Sequence, residues 1–128
     1  VLSSTEVGQL WAIVMNKRGH ADEQVNVQIV SEDTIRELNA QYREKDASTN
    51  VLSFSYGVEH DIALCLPVAE REAAERSVQV RDYVALLLVH AMLHVTGLDH
   101  ERSEDEAEEM RNLEQQIMRF AGFHPISL

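Results

Sequence analysis

The chain has 128 residues but only one cysteine, Cys65, two prolines and five glycines. A single cysteine excludes an internal disulfide and fits a reducing compartment, so a cytoplasmic location is expected. Cys65 sits in the apolar stretch IALCL, where it reads as a small buried hydrophobe. There is no internal repeat, low-complexity tract or linker, so one domain over residues 1–128 is expected. That length can bury a core without disulfide staples. Runs long enough to cross a bilayer are also missing. The longest, VALLLVHAMLHV at 84–95, is interrupted by two histidines, and no membrane association or secretory signal is expected.

Positive charge is scarce as well. Eleven Lys and Arg face 22 Asp and Glu, for a net charge of −11. That balance argues against non-specific binding of nucleic acid. Six of the acids fall in ERSEDEAEEM, 101–110, which reads as a solvated helix face. The basic residues gather around Arg36, Arg43 and Lys45, so a locally basic groove on an acidic protein is expected.

The hydrophobic pattern predicts a helix from Ser3 or Ser4 to Gly19, with Leu10, Ile13, Val14 and Val7 on one stripe. VNVQIV, 25–30, alternates as a strand does. A second helix runs from Ser31 to about Tyr42 with Ile35, Leu38 and Tyr42 inward. Strands follow at 49–55 and 61–66, the latter apolar enough to be central. Pro67 suits the first turn of a helix to about Ser77. The next helix spans about Val80 to Thr96, with Gly97 as a left-handed stop. Ser103 and Glu106 form an S-x-x-E capping box for a last helix ending near Ala121. The sum is an α+β domain with a small sheet packed against about five helices.

HAMLHVTGLDH, 90–100, carries the chemistry. Its spacing is that of the zinc-protease signature H-E-x-x-H-x-x-G-x-x-H, but Ala91 stands where the glutamate base belongs. Residues four apart share a helix face, so His90 and His94 can turn toward one ion. Gly97 permits the chain to return, bringing His100. Three neutral imidazoles with an open fourth position describe a catalytic zinc site better than a structural one. Without the glutamate an efficient peptidase is not expected. Asp99 and Glu101 flank His100 and are each either a proton carrier or a supporting surface carboxylate. A metal also stabilises charge on a phosphoryl oxygen, so phosphodiester cleavage stays open. His20, His60 and His124 lack this spacing and read as surface or loop residues.

YREKDASTNVLSFS, 42–55, resembles the Y-R-x-K-D-x-x-T-[ND]-V-L-S-F-P signature of the YbeY family, bacterial endoribonucleases of rRNA maturation. HAMLHVTGLDHE resembles that family's H-G-x-L-H-L-x-G-[YH]-D-H motif, and DIALCLPVAEREA its G-D-I strand and following helix. The resemblance implies a zincin-like fold and one zinc ion, or another divalent metal such as nickel, on His90, His94 and His100. It implies Arg43 as the essential arginine, and single-strand-specific cleavage in small-subunit rRNA maturation and ribosome quality control. RNA, the small ribosomal subunit and its assembly factors are the implied partners. The competing expectations are a metal-dependent hydrolase of another substrate and a non-catalytic assembly factor with a structural metal.

Overall fold

In the computed structural model, which describes residues 1–128, the elements are α1 (Ser4–Arg18), β1 (Gln24–Val30), α2 (Glu32–Arg43), β2 (Val51–Tyr56), β3 (Glu59–Cys65), α3 (Leu66–Arg76), α4 (Val80–Val95) and α5 (Glu104–Phe120). The fold is α+β with five helices and a mixed three-stranded sheet, as the periodicities predict. The strand order is β1-β3-β2, with β1 parallel and β2 antiparallel to β3. The most apolar strand is the central one, and Ile62, Ala63, Leu64 and Cys65 are buried in it.

α4 is the axis of the molecule. It is apolar nearly all round, which a helix can be only where neighbours cover every side. Leu10 and Val14 of α1, Ile62 and Leu64 of β3, Ala69 and Ala73 of α3, and Met110 and Ile117 of α5 join it in one core. On the opposite face of the sheet Ile35, Leu52, Cys65 and Val68 form a smaller cluster that seats α2 and α3. Cys65 is fully buried there. No single helix is long and apolar enough to cross a membrane.

The capping chemistry differs from expectation at one end. At α1 both halves of a capping box form: the Ser3 hydroxyl accepts from the Glu6 N–H at 3.1 Å, and the Glu6 carboxylate accepts from the Ser3 N–H at 3.0 Å. At α5 only half forms. Ser103 accepts from the Glu106 N–H at 3.1 Å, but the Glu106 carboxylate turns away to the Asp99 N–H at 2.6 Å and to Arg102.

Two side chains are placed differently from the sequence reading. Tyr42 is 55% exposed rather than inward. At the last turn of α2 its ring packs edge to face with Phe54, the ring centres 5.1 Å apart. Asn39 takes the inward place instead, because its amide donates to the Ala47 carbonyl at 2.9 Å. His60 is not a surface residue but 3% exposed. β3 begins at Glu59, so strand alternation puts His60 on the core face with Ile62 and Leu64. There its Nδ1 meets the Ser55 hydroxyl at 2.9 Å and its Nε2 meets Glu23 at 2.6 Å. His20 reaches the same carboxylate at 2.5 Å. Hydrogen bonding from His60, and less strongly from His20, holds the Glu23 carboxyl below the usual carboxylate range.

Candidate active-site cleft

α4 carries His90 and His94 one turn apart on one face. Beyond Val95 the Thr96 hydroxyl donates to the Leu93 carbonyl at 2.7 Å and accepts from Arg18 Nε at 3.1 Å. The chain then reverses at Gly97, whose φ of 110° lies one residue past the helix cap, not at it. Buried Leu98 anchors the turn. Glu106 holds the returning strand by accepting from the Asp99 N–H, while Arg102 bridges Glu106 and the Gly97 carbonyl. This brings the His100 ring centre to 5.0 Å from that of His90.

Arg43 is the last residue of α2. Glu44 takes the left-handed conformation at φ 57°, and the segment that follows is tied at both ends. Near its start, Asn39 accepts from the Lys45 N–H at 3.2 Å and donates to the Ala47 carbonyl. At its end, Asn50 donates to Glu72 at 2.9 Å, and Glu72 also accepts from the Tyr83 hydroxyl at 2.9 Å. Burial, then this carboxylate, pushes the Tyr83 phenol up to about 12, so it remains a donor.

The two constructions face each other across a cleft of about 580 Å³. Arg43, Lys45, His90, His94, Asp99, His100 and Glu101 all line it. The four residues predicted from sequence therefore meet in one place. Arg36 does not join them; it pairs outside with Asp46 at 2.7 Å, so the basic groove narrows to Arg43 and Lys45. His20, His60 and His124 lie outside the cleft.

Burial pushes the His94 imidazole below its ordinary value, the Arg43 cation adds to this, and Asp99 opposes it. A neutral imidazole is the form that ligates a metal. The Glu101 N–H, which donates to Asp99 at 2.9 Å, holds the Asp99 carboxyl below the usual range. Asp99 is therefore ionised but a weak base.

One further residue completes the site, and the sequence reading did not single it out. Glu114 of α5 is 2% exposed and lies 2.5 Å from His90 Nδ1. A carboxylate oxygen there takes a hydrogen bond from Nδ1, which leaves Nε2 as the nitrogen free of that contact. The signal was present in α5: Glu114 is the one acid among the buried residues Ala107, Met110, Ile117 and Met118.

The three imidazoles are grouped without being drawn into a finished ligand cluster. Their chemistry nevertheless fits a divalent transition metal: two helix-borne imidazoles, one biased to neutrality by burial and one oriented by a buried carboxylate, with a third returned by a braced loop.

Comparison with known proteins places this geometry in a family. The family model described as Endoribonuclease YbeY matches residues 4–122. A protein named Endoribonuclease YbeY from Delftia acidovorans is 46% identical over 106 residues, covering 80% of this chain and 70% of that protein. Its namesake from Burkholderia pseudomallei is also 46% identical, over 109 residues that cover 80% of this chain and 59% of the longer relative. The solution structure of TM1509 from Thermotoga maritima superposes with a TM-score of 0.63 at 28% identity, covering 94% of this chain and 87% of that one. With the family match spanning both the arginine-bearing turn and the histidine helix, the chain belongs to the endoribonuclease YbeY family.

Proposed function

We propose that this chain is an endoribonuclease that cuts single-stranded RNA using a divalent transition metal, zinc or a similar ion such as nickel, on His90, His94 and His100. In this reading it is a single zincin-like domain that works in the cytoplasm on small-subunit rRNA, in maturation and ribosome quality control, beside the ribosome and its assembly factors. The observation that carries the reading is the shared cleft, which sets Arg43 and Lys45 opposite the three histidines. The names of its relatives agree with cleavage of RNA.

A metal held there supplies positive charge to a phosphoryl oxygen and acidity to water. The chain does the rest. Glu114 fixes which nitrogen of His90 faces outward. Arg43 offers a planar pair of N–H donors to non-bridging phosphate oxygens, and Lys45 adds a second cation at the same wall. Asp99, held in its ionised form, balances the positive charge beside His94. Ala91 is buried and carries no carboxylate, so the helix lacks the base that peptide hydrolysis uses at this position.

The test pairs elemental analysis with cleavage of end-labelled RNA. About one metal per chain is expected, with single strands cut and duplexes spared. His94→Ala should lose both metal and cleavage. Wild-type cleavage by that variant would remove the histidines from the mechanism. Hydrolysis of peptides but not RNA by the wild type would replace the reading altogether.

A further inference from the structure

The face of the sheet turned away from α4 carries a second recess that the cleft does not use. Register partners share a face, so the strands present three rows across it. These are Gln24–Glu59–Tyr56, Asn26–Asp61–Phe54 and Gln28–Ala63–Leu52. α2 covers the third row through Ile35 and Leu38 and reaches the second only where Tyr42 packs on Phe54, leaving the first row and the Asn26 end of the second open. A cavity of about 160 Å³ remains; Leu38, Ile62 and Ala63 line its apolar part, and Asn26, Gln28, Tyr42, Phe54, Tyr56 and Asp61 the rest. Tyr42 and Tyr56 are 55% and 62% exposed, so both rings leave surface open beside the recess.

The composition of the recess selects that partner. Two exposed rings, Tyr42 and Tyr56, offer stacking surface to a flat, apolar-faced group, and Phe54, held edge-on by Tyr42, closes the recess beside them. Two primary amides and a carboxylate offer hydrogen bonds at its edge. The volume is well under the roughly 300–1,000 Å³ of sites for drug-sized ligands, so it suits one ring system. Asp61 and the neighbouring Glu59 repel phosphate, so a nucleotide can enter base first only, its backbone left outside. Tyr42 is followed directly by Arg43, which lines the cleft. Both sites therefore border the last turn of α2.

We propose that this recess holds an unpaired guanine of single-stranded RNA, next to the phosphate held at Arg43. Guanine is the base whose N1–H and N2–H₂ give the two oxygens of Asp61 adjacent donors, while the Asn26 and Gln28 amides can donate to its O6. Stacking on Tyr42 and Tyr56 supplies affinity, and Asp61 supplies the choice of base. The proposal rests on RNA being the substrate, and it adds a sequence preference to that reading.

The experiment uses the full chain labelled with ¹⁵N and ¹³C, titrated with guanosine, adenosine, cytidine and uridine. Nucleosides carry no phosphate that could draw them to Arg43. Guanosine is expected to shift the side-chain amides of Asn26 and Gln28 and the rings of Tyr42, Phe54 and Tyr56, and to bind at least about tenfold tighter than the others. Asp61→Asn should erase that preference, and Tyr56→Ala should weaken binding about 5- to 100-fold. Shifts confined to the histidine cleft, equal response to all four nucleosides, or an intact preference in Asp61→Asn would each overturn it. Cleavage of RNA by the wild type, measured separately, distinguishes failure of the guanine site from failure of the ribonuclease reading.

Discussion

Arg43 and Glu114 do opposite kinds of work on the same cleft, and single substitutions separate them. Arg43 is exposed and lies at a helix end, so the fold gains little from it. In the proposed reaction its guanidinium acts on charge that develops on the substrate. Removal of a comparable oriented donor costs about 2.7–4 kcal/mol, or roughly 100- to 1,000-fold in rate. Arg43→Ala should keep its metal content and melting temperature while cleavage falls by that factor; Arg43→Lys should recover only part, because a point charge lacks the fork. A thermal melt and an RNA cleavage rate decide it, and a large drop in melting temperature would mark Arg43 as structural. Glu114 is buried and touches His90, and it does not line the cleft. Glu114→Gln keeps the volume but offers an amide that no longer fixes the imidazole tautomer. Metal affinity, read by competition with a chelator, should fall about 10- to 100-fold. Unchanged affinity would show that His90 is oriented by packing alone.

Elements show how far the sequence was legible. Most helices and strands were visible from their period because each turns one face to a core, while α4 and β3 were visible as continuous apolar runs. Bounds moved by a residue or two, and one such shift had consequences: starting β3 at Glu59 instead of Asp61 took His60 from a loop into the core. Tyr42 was misplaced for a different reason. Helical period gives the face of a residue but not whether a neighbour extends far enough to cover it, and α2 overhangs its sheet. The half-formed box at Ser103 shows the same limit, since Glu106 satisfies tertiary partners unseen in its local motif. At α1 the complete box predicts a pH effect. Glu6 accepts from Arg81 on α4 and from Ser3, chiefly the former, which lowers its pKa from 4.5 to about 2. A carboxylate lowered on folding contributes stability above its unfolded value and loses it as pH falls through the folded one. The melting-temperature gap between wild type and Glu6→Gln should thus be fully open at pH 6, narrow below about 4.5 and close near 2. A gap that persists at pH 2 would mean that the carboxylate charge is not what joins α1 to α4.

Across the whole molecule, net charge and site charge have opposite signs. The chain carries −11, with six acids between residues 101 and 110, yet the cleft wall opposite the histidines bears Arg43 and Lys45. Nothing in a surface of that sign attracts a long polyanion, so affinity has to come from the few phosphates that reach this wall. Each neutralised phosphate releases counterions and adds about 0.7 to the slope of log affinity against log salt for a single strand. Two cations predict a slope of about −1 to −2, against about −10 for a protein that covers many phosphates. Binding of a fluorescent single-stranded RNA to the Arg43-containing, cleavage-inactive His94→Ala protein, measured from 50 to 200 mM salt, gives that slope directly. Adding Lys45→Ala should make it shallower by about one phosphate's share. A steep slope insensitive to Lys45 would place the RNA on a broad surface elsewhere, and would mean that the acidic charge of the chain does not confine the substrate to the cleft.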